Sequence, residues 1–343
     1  MRQFSKKLKW GLTLSVLSLV LMGAYAYFIA TSTMLSQAEA FSFRRMTVPQ
    51  MAEKGTFQFF YASNRRPASG QEPVEDRFES ERDLSLSFGF FDTSIEPSLG
   101  LGMIIDASDW FLNEEIQLNR VQGLDRADFV RQLRSQVAAS PHRSLLLAVH
   151  GFREAFPSAL RKTAFLAHVL DINTPVVVFD WPGDQGGSLR GYRRARSVAQ
   201  ASGQELAAFL ELIVEEVQPE RFWMFANSMG GQVVVDAFHL LHQDGGFSDM
   251  QTEIEHVALT APDVDHDEFN QQFRREIASL AKNVTVYVSS NDRALLASRL
   301  INRGLRLGES TLDPSNPGQV QQTAKISELL EPGDDSLALV DVT

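Results

Sequence analysis

The chain has 343 residues, a formal net charge of -11 and no cysteine. The negative charge argues against nucleic acid as a partner. The lack of cysteine excludes disulfides, a lipidated cysteine anchor and a cysteine nucleophile. The length and the 44% hydrophobic content allow one large α/β domain with its own core. The sequence shows no phosphate-binding loop and no cluster of metal ligands, so we predict neither a cofactor nor a metal ion.

The N-terminus predicts a membrane anchor. An uncharged run contains an apolar part, residues 12–30, that is long enough to cross a bilayer as a helix. Four basic residues precede it: Arg2, Lys6, Lys7 and Lys9. Because no basic residue follows closely, we expect a cytoplasmic tail, a single pass through the inner membrane and a domain in the periplasm or outside the cell. Secretion after signal cleavage near Ala40 is the alternative, which the length of the apolar run disfavours.

The chain divides into predicted segments with different roles. These are the tail and anchor at residues 1–40, a linker at residues 41–55, and a domain at residues 56–343 that we expect to be incomplete at its C-terminus. The domain is predicted to begin with a strand at residues 56–62, a charged, turn-rich loop at residues 63–83 and a strand at residues 84–90. The last segment alternates apolar with small residues, which is typical of a half-exposed strand at the edge of a sheet.

Strands and helices alternate through the rest of the domain, after a predicted helix at residues 125–139. The predicted strands lie at residues 145–149, 175–179, 222–225, 254–259, 284–288 and 336–342. The predicted helices between them lie at residues 158–170, 190–217, 233–241 and 267–280, and a further one ends near residue 305. This alternation predicts an α/β fold with a mostly parallel, doubly wound sheet. Such sheets bind ligands outside the carboxyl ends of their strands.

One stretch, residues 221–231, changes from a buried strand to a helix at a serine. Ala226, Ser228 and Gly230 form a small-x-Ser-x-small pattern there. The residues two before and two after the serine should crowd each other on a tight turn, so both must be small. The hydroxyl would then project above the sheet, over the N-terminus of the following helix. A serine that only caps the helix is the alternative interpretation.

Polar clusters follow the other predicted strands as well. They are His150-Gly151-Phe152, Asp180-Trp181-Pro182-Gly183, Ala261-Pro262-Asp263-Val264-Asp265 and Ser289-Ser290-Asn291-Asp292. With these segments and the serine stretch, the chain resembles the α/β-hydrolase superfamily, and within it a bacterial family of serine-hydrolase-like proteins of unknown function. The resemblance extends over residues 56–342. The ordered set is much more specific than any single segment.

The resemblance implies a role for each of several residues. Ser228 would be the nucleophile, and the backbone N–H groups of Met229 and Phe152 would form the oxyanion hole. His150 would support that hole rather than act as the base. Asp292 would be the acid that orients a histidine, with Asp263 as the alternative at the end of the preceding strand.

The catalytic histidine is missing from its expected place. The chain has seven histidines, at positions 142, 150, 168, 239, 242, 256 and 266, and none follows Asp292. We expect the base beyond Thr343 in a longer protein. His266 is the alternative within the chain, because it follows Asp263 in a loop that should face the site. Loss of catalysis is the third explanation.

The sequence as a whole predicts a membrane-anchored serine hydrolase, in particular a carboxylic ester hydrolase that acts on small-molecule esters. Its partners would be that substrate and the membrane, with no nucleic acid involved. Peptidase or acyltransferase chemistry stays open, because the fold and the triad do not select the acceptor. The rival hypothesis is a non-catalytic, membrane-tethered binding module that keeps the fold but lacks the catalytic histidine.

Overall fold

The computed structural model describes residues 56–69, 77–95, 116–140, 142–169, 173–244, 254–288, 295, 298, 304–308 and 337–341. The predicted anchor, the linker and Asp292 lie outside these residues. Apart from Ile95, all described residues belong to one compact unit, residues 56–94 and 116–343. Within the described ranges, no helix is long and apolar enough to cross a membrane.

The described strands form one nine-stranded sheet in the order β3-β2-β1-β5-β4-β6-β7-β8-β9. The strands are β1 (Thr56–Pro67), β2 (Phe78–Ile95), β3 (Ile116–Leu124), β4 (Ser144–Val149), β5 (Val176–Asp180), β6 (Arg221–Asn227), β7 (Ile254–Thr260), β8 (Ala281–Val288) and β9 (Leu337–Asp341). Neighbours from β1 to β9 pair in parallel, and β2 runs antiparallel to β1. The predicted mostly parallel sheet is therefore confirmed.

Helices connect most of these strands. They are α1 (Arg126–Ala139), α2 (Phe156–Val169), α3 (Leu189–Leu212), α4 (Gly230–Asp244), α5 (His266–Glu268) and α6 (Arg274–Leu280). A π-helical turn, Ile213–Val217, extends α3, and another, Phe269–Phe273, joins α5 to α6. Side-chain caps fix the starts of α1 and α3, because Asp125 accepts a hydrogen bond from the Asp128 N–H and Ser188 accepts one from the Gly191 N–H.

The core lies on both faces of the sheet. Adjacent residues of β1 point to opposite faces. The Phe60 ring packs edge-on against Phe129 of α1 at 5.8 Å, whereas the Tyr61 ring packs against Phe156 of α2 at 5.2 Å. Phe209 of α3 lies on the Phe129 side, with its centroid 6.1 Å away. Helices therefore cover both faces, as the doubly wound prediction requires.

The N-terminal part of the domain departs from the sequence prediction. The loop predicted at residues 63–83 is wrong over most of its length, because β1 continues to Pro67 and β2 begins at Phe78. The prediction of β2 as the edge strand is also wrong, since β3 lies outside it. Hydrogen bonds to distant side chains hold the polar end of β1, and no local apolar pattern marks such a strand.

Candidate active site

Ser228 lies on a sharp turn between β6 and α4. Its φ of 51° falls in the left-handed region, which is strained for a residue with a β-carbon. Two backbone hydrogen bonds hold the turn against the end of β7 and the loop after it, and a third joins the turn to the start of α4. The Ser228 N–H donates to the Thr260 carbonyl at 2.9 Å, and the Ser228 carbonyl accepts from the N–H groups of Gly231 and Asp263 at 3.0 Å. The strand-to-helix turn predicted from the spacing is therefore present.

Gly230, two positions after Ser228, must be small, but the steric cause differs from the predicted one. A β-carbon on Gly230 would lie 2.5 Å from the His150 carbonyl oxygen and 2.7 Å from that of Val149. The crowding therefore comes from the carboxyl end of β4, rather than from Ala226 as the spacing argument predicts. Gly230 lets the start of α4 approach the loop that follows β4.

That loop also lies directly against Ser228. A β-carbon on Gly151 would lie 3.2 Å from the Ser228 β-carbon. The next residue, Phe152, is half-buried, and its ring packs edge-on against Tyr192 with centroids 5.6 Å apart. Arg153 has a φ of 67° and donates its N–H to the Gly183 carbonyl at 2.9 Å. Phe152, which we predicted as the second oxyanion donor, is thus one position from Gly151, a direct neighbour of the nucleophile.

His150 is locked into this framework. Its Nδ1 lies 3.0 Å from the Gly151 carbonyl oxygen, and its Nε2 accepts the Trp181 backbone N–H at 3.1 Å. The Trp181 indole N–H donates back to the His150 carbonyl at 2.8 Å, and the two rings stack. Both ring nitrogens are occupied, so this geometry provides no free nitrogen to accept a proton from Ser228.

A buried ion pair behind His150 was not recognised from the sequence. Asp180 accepts Arg65 Nε at 2.9 and 3.0 Å and the Ser63 hydroxyl at 2.6 Å, and one of its oxygens lies 3.2 Å from His150 Nε2. Burial alone would raise the pKa of Asp180, but the Arg65 guanidinium, with the Ser63 hydroxyl, holds it below its usual value. Arg65 lies in the segment that we predicted to be a loop, so its role had no local signal.

Asp263, the alternative acid, lies on the other side of the nucleophile. Its carboxylate is only 4% exposed and accepts hydroxyl hydrogen bonds from Tyr192 at 2.7 Å and Ser298 at 2.6 Å. Arg306 Nε lies 3.4 Å from the same carboxylate. Among the described contacts of Asp263, none involves a histidine. Tyr192 links this acid to the loop after β4, because its ring also packs on Phe152.

His266, the alternative base, lies at the start of α5. Its Nδ1 is 3.2 Å from an Asp267 carboxylate oxygen, and the Asn270 side-chain amide lies 3.2 Å from its Nε2. Its backbone N–H donates to the Leu305 carbonyl at 3.1 Å. In the part of the chain that the structure describes, no contact joins its ring to Ser228 or Asp263.

The other histidines are placed away from these residues. Three of them contact polar partners on α6 or β8: His239 with Glu276, His242 with Ser279, and His256 with Thr285. His142 is exposed before β4, and His168 is buried near the end of α2. All seven histidines are described, and no described contact brings any of their rings to Ser228.

Comparisons with known proteins agree with this architecture. A family model described as an alpha/beta hydrolase of unknown function (DUF900) matches residues 125–334. No curated protein matches the chain.

Solved structures give distant matches. Esterase B from Lactobacillus rhamnosis is 10% identical over 88% of this chain and 97% of its own, with a TM-score of 0.30. The butyrate-bound esterase Est2 from Thermogutta terrifontis is 10% identical over 58% of this chain and 71% of its own, with a TM-score of 0.29. The ydeN gene product from B. subtilis is 12% identical over 58% of this chain and 85% of its own, with a TM-score of 0.26. Similarities this low carry no argument about function.

Proposed function

The chain belongs to this alpha/beta hydrolase family, and we propose that it is a serine hydrolase that cleaves carboxylic esters through an acyl-enzyme on Ser228. One observation carries the proposal: Ser228 has a φ of 51° on the turn after β6. A strained serine between β6 and α4 has little purpose in a scaffold, but it projects a nucleophile above the sheet.

The proposed reaction proceeds in two stages. The Ser228 hydroxyl oxygen attacks the ester carbonyl carbon while a base takes its proton. The resulting oxyanion accepts hydrogen bonds from the backbone N–H groups of Phe152 and Met229, and the intermediate then expels the alcohol, which receives that proton. Water attacks the acyl-enzyme in the same way, releases the carboxylic acid and regenerates Ser228.

The acid and base that we propose follow the order Ser, acid, His. The surroundings of Asp263 support Asp292 as the acid, because Tyr192, Ser298 and Arg306 already contact the Asp263 carboxylate. We propose a histidine beyond Thr343 as the base, with His266 as the alternative within the chain.

Ester hydrolysis tests this function, measured on the protein with the histidine-bearing segment that we propose beyond Thr343. We expect release of p-nitrophenol from short-chain p-nitrophenyl esters, and a loss of more than about 10³-fold in kcat on Ser228→Ala. The matched control is Ser144→Ala, which alters a buried serine at the start of β4 that contacts Thr174 and lies outside the proposed site. Turnover that survives Ser228→Ala would rule out the assignment.

We further propose that the N-terminal segment anchors the domain at the membrane, facing the periplasm or the cell exterior. The support is the apolar run at residues 12–30 and the basic residues before it. The full chain should stay in the membrane pellet after alkaline carbonate extraction, and its N-terminal mass should be intact. Release of a soluble chain that begins near Ala40 would favour secretion instead.

A non-catalytic binding module is the second candidate. One observation favours it: no described contact brings a histidine ring to Ser228. The same ester assay separates the two functions, because a binding module would show no serine-dependent turnover.

A further inference from the structure

We propose that Arg65 is a positioning residue that fixes the loop carrying the oxyanion donor Phe152. Its guanidinium lies behind the site and ties the loop after β4 to the loop after β5. The consequence for catalysis rests on the proposed function, whereas the consequence for loop mobility can be measured without any turnover.

The Arg65 guanidinium is 1% exposed, and each of its nitrogens has a partner. Its Nε donates to both carboxylate oxygens of Asp180, at 3.0 and 2.9 Å, and its Nη1 donates to Asp184 at 2.5 Å. Its Nη2 donates to the carbonyl oxygens of Glu154 at 2.6 Å and Trp181 at 2.9 Å. The guanidinium of Arg65 is a planar group whose N–H donors point in fixed directions, and each of its nitrogens donates a hydrogen bond here.

Three of these partners, Glu154, Trp181 and Asp184, belong to the loops after β4 and β5. Glu154 lies two residues after Phe152, and Trp181 directly follows β5. The same two loops are joined by the hydrogen bond from the Arg153 N–H to the Gly183 carbonyl. Arg65 thus clamps the loop after β4 just beyond Phe152, while Gly151 at the other end touches Ser228.

The network around Arg65 also fixes His150, the residue at the start of the loop after β4. Asp180 is completely buried, and its position is set by Arg65 and Ser63. Trp181 donates its backbone N–H to His150 and its indole N–H to the His150 carbonyl. His150 therefore acquires its position from residues that Arg65 holds.

A contribution to stability alone does not explain why a charged residue, Arg65, is buried behind the site. A buried ion pair contributes little more than well-packed apolar side chains of the same volume, because desolvation offsets the Coulomb attraction. Arg65 does what apolar side chains cannot do, since it binds two carboxylates and two backbone carbonyls in one plane.

Arg65→Lys tests the proposal, because lysine keeps the charge and loses the planar fork. The matched control is Arg82→Lys on β2, where Arg82 forms a bidentate pair with the buried Glu205 of α3 and contacts neither loop. Hydrogen exchange measured on the full chain gives the first readout. We expect exchange at residues 150–154 and 181–184 to rise about tenfold or more in Arg65→Lys only, with residues 221–235 unchanged.

The second readout is the split between kcat and KM for a p-nitrophenyl ester. Because Arg65 does not touch the substrate, kcat should fall on the order of 10- to 100-fold while KM stays within about twofold. If the wild-type chain shows no turnover, the proposed function fails and the exchange measurement alone decides the inference.

Unchanged exchange in both loops would overturn the inference, and so would exchange that rises equally in Arg82→Lys. If Arg65→Lys does not fold, Asp184→Asn replaces it. This variant weakens one partner that is 23% exposed and should loosen the same two loops and no others. Loosening spread over the whole domain would show a general structural role and would contradict positioning.

Discussion

Two buried carboxylates, Asp180 and Asp263, flank the nucleophile and are used differently. Each follows or ends a strand at the carboxyl edge of the sheet, and each has an arginine beside it. Arg65 approaches Asp180 to 2.9 Å and donates to both oxygens, whereas Arg306 stays 3.4 Å from Asp263, whose nearer partners are the hydroxyls of Tyr192 and Ser298. The first carboxylate fixes two loops, and the second lies beside the backbone of Ser228.

The comparison shows that a close Asp–His pair does not make a catalytic triad. His150 Nε2 lies 3.2 Å from Asp180, but its Nδ1 faces the Gly151 carbonyl, so the ring cannot serve Ser228. Asp263 contacts the nucleophile but has no histidine partner in the described part of the chain. Its backbone N–H donates to the Ser228 carbonyl, and no described histidine contacts its carboxylate. This geometry gives Asp180 and His150 a supporting role beside Ser228.

The largest expected effect is a difference in stability between variants of the two carboxylates. Asp180→Asn leaves the buried Arg65 without its main counter-charge, so the free energy of unfolding at pH 7 should fall by about 3–5 kcal/mol. Asp263→Asn can keep its hydroxyl partners and should lose only about 1–2 kcal/mol. Urea unfolding followed by circular dichroism measures both values. Equal losses would contradict the different roles.

The same variants give a pH test. The folded pKa of Asp180 lies below its unfolded value, so its stabilisation is present above the unfolded pKa of about 3.9 and is lost as the pH falls through the folded pKa. Wild-type stability should therefore drop as the pH falls below about 4, and this drop should be smaller in Asp180→Asn. An identical acid limb in both proteins would be the contrary result.

A third carboxylate, Asp236 of α4, differs from both because burial, rather than a neighbouring arginine, has the largest effect on its pKa. Burial is the main cause that raises the pKa of Asp236 to about 6. Glu268 adds to the effect of burial, and Gln232, His239 and Arg196 oppose it only in part. Its ionised form therefore destabilises the fold, increasingly as the pH rises from about 4 to about 6 and fully above.

Asp236→Asn should raise the free energy of unfolding at pH 7 by about 1–3 kcal/mol, because the amide cannot ionise. Urea unfolding at pH 4 and pH 7 measures the change. Asp244→Asn, at the exposed end of the same helix, is the matched control and should have little effect. A stabilisation of the same size at pH 4 would show that ionisation is not the cause.

The smallest effect is expected at His266. Its ring contacts Asp267 and Asn270 instead of Ser228, so His266→Ala should leave the ester kcat within about twofold of wild type. Steady-state kinetics at pH 7 and 8 measure it. A fall of more than about tenfold would make His266 the base and would place catalysis on the Asp263 side.

The sequence predicted the central strands and the serine turn because both have local signals. β4 and β5 are buried along their whole length, and apart from one polar residue at an end each is a continuous apolar run. The spacing of Ala226, Ser228 and Gly230 marks the turn. The network around Arg65 has no such signal, because Arg65 and Asp180 are 115 residues apart in the chain. Only the fold brings them together, and it places Tyr192 beside Asp263 in the same way.

Intact mass after exposure to a fluorophosphonate tests the central claim most directly, on the protein with the histidine-bearing segment that we propose beyond Thr343. The reagent reports an activated serine without requiring turnover, and Ser228→Ala is the control. We expect one covalent adduct on the wild-type chain and none on the variant. No adduct on the wild-type chain, or an adduct that persists in Ser228→Ala, would contradict Ser228 as an activated nucleophile.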